Sequence, residues 1–184
     1  MQQLLTLVAA AIVIALGLSL LVVQGLTGVP SMSANSAETA DVVALLRQAS
    51  LKDDAIIYDL GCGWGALVMA LALAFPHARI RGAEVSPLPY WVARFRTRGM
   101  PNVVLQRRNF YHCDLQDADA VTCYLMTKAM PRLGSFLDNS LKPRTPVVAL
   151  TFWFRNRQVA ATREGPGLRG AAALYYWPAA KPGM

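Results

Sequence analysis

The segment Tyr58-Asp-Leu-Gly-Cys-Gly-Trp-Gly65 holds residues whose types and spacing suit chemistry with a bound cofactor. Gly61, Gly63 and Gly65 recur at every second position. Glycines there can take backbone angles closed to other residues and let a ligand approach the main chain without a Cβ in the way. Asp59 precedes them at the end of an apolar run, placed to hold a cofactor or to fix the loop. Glu84 follows Gly65 by 19 residues and closes a second apolar run. A carboxylate at such a strand end can accept hydrogen bonds from both hydroxyls of a ribose. This spacing does not name the cofactor. Gly61, Gly63 and Ala66 also satisfy the dinucleotide pattern G-x-G-x-x-G/A, with an acid about twenty residues on, so an NAD-binding or non-catalytic module stays open. Against NAD, Asp59 would face a pyrophosphate unfavourably.

The elements that must position these residues alternate along the chain. Short apolar strands are expected over 55–60, 78–85, 102–106, 120–126 and 147–154, and helices over 37–49, 66–75, 90–98 and 130–141. Pro76 stops one helix and Gly99 another. The run ends in two more strand-like stretches around the Gly-Pro-Gly-Leu-Arg-Gly turn at 165–170. Strands alternating with helices imply an α/β fold with a parallel, doubly covered sheet, and the closing pair implies an antiparallel strand at one end.

Asp-Leu-Gly-Cys-Gly-Trp-Gly (59–65) followed by Gly-Ala-Glu-Val-Ser-Pro (82–87) resembles motif I and the acidic strand end of class I S-adenosylmethionine-dependent methyltransferases. The resemblance continues through the stretches 82–96 and 106–154. There it is similar to the small membrane-anchored protein-lysine methyltransferases that act on the ATP synthase c subunit or the adenine nucleotide translocase, and to their prokaryotic relatives. It implies a Rossmann-like seven-strand sheet of order 3-2-1-4-5-7-6, with S-adenosyl-L-methionine as cofactor. It also implies a cofactor site at Asp59, Gly61, Cys62, Gly63, Gly65, Glu84 and Asn109, the glycine loop against the amino-acid part, Glu84 on the ribose and Asn109 near the adenine. Asn109 equally suits a turn. Two departures are visible: Trp64 stands where an acid is common, and Ser86 where an Asn is common. Methyl transfer to a lysine amine of a membrane or membrane-adjacent protein is the implied activity, with lipid headgroups or another small molecule as the alternative acceptor. Tyr-Leu-Met-Thr-Lys (124–128) after the fourth strand lacks the turn that holds an amino group of a nucleobase, which disfavours nucleic acid.

Residues 4–23 are twenty consecutive uncharged residues, enough as a helix to cover the ~30 Å hydrocarbon core. The expected organisation is a transmembrane anchor over 1–24, a linker over 25–36 and the methyltransferase domain over 37–184, single-pass with the domain cytoplasmic. A cleaved signal peptide is the rival, weakened by the absence of a basic start. The formal net charge is +7, with seven arginines against one acid over 79–108, a face suited to polyanions or anionic headgroups. Cys62, Cys113, Cys123, His77 and His112 lack metal-ligand spacing, so no metal is expected. Phe152, Trp153 and Phe154 are expected on the fifth strand, as core or as an aromatic entrance for a methylated ammonium. Tyr175, Tyr176 and Trp177 suit either sheet packing or a lipid interface.

Overall fold

The computed structural model describes residues 1–27, 33–164 and 171–178, with side chains at all of these except 16 and 19–27. Residues 28–32 of the expected linker and the expected turn at 165–170 lie outside the described residues. The elements run α1 (Gln2–Thr27), α2 (Ser36–Gln48), β1 (Ile56–Leu60), α3 (Ala66–Ala74), β2 (Arg79–Ala83), α4 (Pro87–Arg96) and β3 (Val103–Gln106). There follow a 3₁₀ turn (Phe110–His112), β4 (Ala120–Cys123), α5 (Met130–Ser140), β5 (Thr145–Leu150), β6 (Ala161–Arg163) and β7 (Ala172–Trp177).

One seven-stranded sheet has the order β3-β2-β1-β4-β5-β7-β6, as the family resemblance implies. β1 pairs in parallel with β2 and β4, while β7 runs antiparallel between β5 and β6. All residues of β1, β4 and β5 are buried, because helices cover both faces. Alternate side chains therefore build two cores. Tyr58, Leu60, Val121, Val147 and Tyr175 pack with Leu133 and Leu137 of α5. Ile57, Ile80, Ala120, Val148 and Leu174 pack with Leu45 and Leu46 of α2 and Val68 and Leu71 of α3. Tyr175 and Trp177 are buried in the sheet core and Tyr176 is half-buried, so ordinary packing accounts for them.

Local chemistry sets the helix ends. Asn35 caps α2 in a reciprocal box, its Oδ1 accepting from Glu38 N–H at 2.9 Å while Asn35 N–H donates to Glu38 Oε2 at 2.8 Å. Such a cap is worth about 1 kcal/mol. α4 begins at Pro87, three residues before the expected start, because proline at the first helical position needs no N–H partner.

Two expectations are corrected. Among the described residues, no helix is long and apolar enough to cross a membrane, which overturns the single-pass anchor and the placement of the domain across from it. A span needs about 20 apolar residues. α1 lies against α4. The fifth strand also ends early, at Leu150 rather than at residue 154. Thr151 takes φ +64°, and Phe152 N–H donates back to Leu150 C=O at 2.7 Å. A β-branched residue at that φ is strained, and the resulting turn carries Phe152, Trp153 and Phe154 out past the sheet.

Candidate functional site

The sheet order reverses between β1 and β4, and in open α/β sheets ligands bind at such a point, beyond the carboxyl ends of the strands. The loop after β1 lies here. Gly61, Gly63 and Gly65 have φ of +77°, +52° and +83°. Gly61 and Cys62 both donate their N–H groups to Ala83 C=O, at 2.9 and 3.0 Å, which ties the loop to the end of β2. Glu84 completes the tie: its Oε2 accepts from Gly63 N–H at 2.9 Å and its Oε1 from Ser86 N–H at 2.7 Å. Each carboxylate oxygen retains capacity for another donor.

α4 clamps the loop from outside. A Cβ added at Gly65 would sit 2.9 Å from Ala93 Cβ, and Arg96 Nη1 donates to Trp64 C=O at 2.8 Å. The arginine stretch is thus partly committed within the chain. Arg81 bonds Tyr58 and Asp117, Arg94 bonds Tyr90, and Arg98 lies 4.0 Å from the Phe95 ring centroid.

Asp59 is the electrostatic centre. It is 2% exposed, its Oδ1 accepts from Thr122 Oγ1 at 2.9 Å, and its Oδ2 is buried without a hydrogen-bond partner. Burial raises its pKa to about 7, the Thr122 bond opposing and the Glu84 charge reinforcing the rise. Orphaned buried carboxylate oxygens are rare in native proteins, and a cationic ligand group would satisfy this one. Asp59, Gly61 and Cys62 line one small cavity together with Trp64, Tyr124 and the Ser33-Ala34 segment that enters α2.

The structure therefore gathers Asp59, Gly61, Cys62, Gly63, Gly65 and Glu84. Asn109 caps the 3₁₀ turn, its Oδ1 accepting from Tyr111 N–H at 3.1 Å, a bond that engages its oxygen and not its amide nitrogen. Cys62 is held as a thiol, its pKa pushed well up by burial and by the Asp59 and Glu84 carboxylates. Cys123, buried beside Asp59, is pushed up likewise, and Cys113 is raised by burial with Arg108 opposing. None is set up as a nucleophile. Thr122, Tyr124, Ser33 and Ala34 are new to the site. Thr122 meets Asp59 through the parallel register of β1 and β4, which no local sequence signal marks. Nothing in the local sequence marked Ser33 and Ala34, which reach the cavity through the tertiary fold.

A family model described as the ANTKMT methyltransferase domain matches residues 59–161, more than half of the chain. The chain belongs to this family. A protein-lysine N-methyltransferase of Saccharolobus islandicus is 31% identical over 114 residues, covering 60% of this chain and 71% of that protein. Among solved structures, an RNA methyltransferase from Salinibacter ruber in complex with S-adenosyl-L-homocysteine superimposes with a TM-score of 0.72 at 24% identity, over 83% of this chain and 98% of that one. A precorrin-6y C5,15-methyltransferase from Geobacter metallireducens gives 0.53 at 18% identity, over 72% and 84%. These two likenesses speak to the fold alone. The chain is an S-adenosylmethionine-dependent methyltransferase, and the NAD-binding alternative falls. The residues present fit that cofactor: a buried unpartnered carboxylate suits its ammonium, and a glycine-rich loop of positive φ beside it suits its amino-acid part.

Proposed function

We propose that the chain methylates the side-chain amine of lysine in a protein. The observation that carries this reading is the 31% identity to a protein-lysine N-methyltransferase over 71% of that protein. Asp59 Oδ2 would take the cofactor ammonium and the glycine loop its amino-acid part. Glu84 would bind the ribose hydroxyls through the capacity that Gly63 and Ser86 leave free. Asn109 would face the adenine through its side-chain amide. The cofactor supplies a methyl group already activated on a sulfonium, so the protein's contribution is chiefly alignment and exclusion of water.

Tyr124 follows β4 and lines the cofactor cavity, and its ring stacks on Phe152 with centroids 6.4 Å apart. This aromatic wall would guide the lysine stem and favour the neutral amine, since apolar surroundings disfavour an ammonium. The same ring faces would accept a methylated ammonium afterwards. A membrane or membrane-adjacent protein as the bearer of that lysine stays within this reading, approached without the expected anchor.

The test is to incubate the full-length chain with a cell extract and methyl-labelled S-adenosylmethionine, then to separate protein, lipid and nucleic acid. Label recovered as N-methyllysine after hydrolysis of the protein fraction supports the reading. Label confined to lipid or nucleic acid overturns it.

A further inference from the structure

A second concavity, of about 410 Å³, opens between the first turns of α5 and the segment that follows β5. Met130, Pro131 and Gly134 form one side, and Trp153, Phe154 and Arg155 the other. Gly134 lies at ordinary contact distance from the Phe154 ring, to which an added Cβ would come within 3.7 Å. The lining is apolar below and basic above. Arg155 and Arg157 belong to the lining and no acid does. Arg157 is fixed rather than mobile, bonded to Asp138 and 4.8 Å from the Trp177 ring centroid. Asp138 meets the charge of Arg157, which leaves Arg155 as the exposed cation of the lining.

Sequence neighbours link this cleft to the cofactor cavity, although no residue lines both. Tyr124 lines the cavity and Thr127 the cleft, while Phe152 stacks on Tyr124 and its neighbour Trp153 lines the cleft. An extended polypeptide advances about 3.3 Å per residue. A chain that presents a lysine at Tyr124 would lay residues a few positions away into the cleft. The target lysine is itself a cation approaching a protein of net charge +7 beside a basic rim, so its neighbours must supply the attraction.

We propose that the α5/β5–β6 cleft is a substrate subsite that receives an acidic side chain flanking the target lysine, so that the enzyme selects lysines in acidic surroundings. This rests on the protein-lysine reading above. The carboxylate sits against Arg155 and the polar groups of Thr127 and Asn156, while its stem lies on Trp153 and Met130.

The experiment uses three peptides around one central lysine, identical except for Asp, Asn or Lys at the flanking positions, with the full-length chain and methyl-labelled cofactor. A parallel set, with norleucine in place of the central lysine and a fluorescent tag, reports binding without chemistry. The Asp peptide should be methylated with kcat/KM roughly tenfold above the Asn peptide, the scale of two partly exposed charge contacts. The Lys peptide should be poorest. Arg155→Glu, on an exposed side chain, should collapse the Asp-to-Asn ratio and raise the Lys peptide relative to both. Equal rates on all three peptides, or a ratio untouched by Arg155→Glu, overturn the subsite. Methyl groups found on another residue would instead overturn the lysine reading, and the norleucine peptides would still decide whether the cleft selects acid.

Discussion

Titrating Asp59 should couple cofactor binding to pH. Its carboxyl is 2% exposed, with a pKa raised to about 7 first by burial and then by Glu84, against the Thr122 bond. A carboxyl pKa higher in the native than in the unfolded state stabilises the fold at low pH. That contribution is complete below about pH 4 and lost as pH climbs to about 7, on the order of 4 kcal/mol in all. The cofactor ammonium reverses the balance, because it pairs with the ionised form and expels the proton. If only the ionised form binds, affinity falls nearly tenfold per pH unit below the pKa. Between about pH 7 and about pH 5.5 the dissociation constant should therefore rise roughly 15-fold. Calorimetry in buffers of different ionisation enthalpy should show about half a proton released at pH 7 and nearly one at pH 6. Asp59→Asn, which keeps the shape and the Thr122 contact, should flatten the profile and abolish the release. A flat profile in the wild type, or an equal slope in Asp59→Asn, would refute the electrostatic role given to this carboxyl.

Glu84→Ala should weaken cofactor binding by about 1.5–3 kcal/mol, the scale of hydrogen bonds to a charged group, measurable by the same calorimetry; unchanged affinity would place the ribose elsewhere. Gly65→Ala meets a φ of +83° and a Cβ contact of 2.9 Å with Ala93, so denaturant titration should show a loss of about 2–5 kcal/mol. Thr151→Gly relieves the strained φ of +64° and removes a buried, unpartnered hydroxyl, and should raise stability by about 1 kcal/mol. The same change should slow turnover by loosening Phe152, and a variant that is both more stable and fully active would detach this turn from the site.

Much of the sheet was legible from the chain because β1, β4 and β5 are short apolar runs separated by clear stop signals such as Pro76. The glycine loop and its two acids were legible for the same reason, since glycines of positive φ and strand-end carboxylates leave marks in local sequence. Boundaries were less so. The strand ending at Leu150 depends on one strained residue, Thr151, whose conformation is set by its N–H bond to Ala171 across the sheet. Tyr124, Ser33 and Ala34 meet Asp59 only through tertiary packing, and no periodicity encodes that meeting. The apolar stretch at 4–23 misled in the opposite direction: hydropathy alone suggested a span that the described helix does not supply.

The most direct test of the whole account is to map methyl groups, by peptide mass spectrometry, on a protein substrate treated with methyl-labelled S-adenosylmethionine and either the wild type or Glu84→Ala. The account predicts label on a lysine ε-amine with the wild type and a large loss of it, at cofactor concentrations near the wild-type Kd, with Glu84→Ala. Label on any other atom, or equal labelling by the two enzymes, would contradict it.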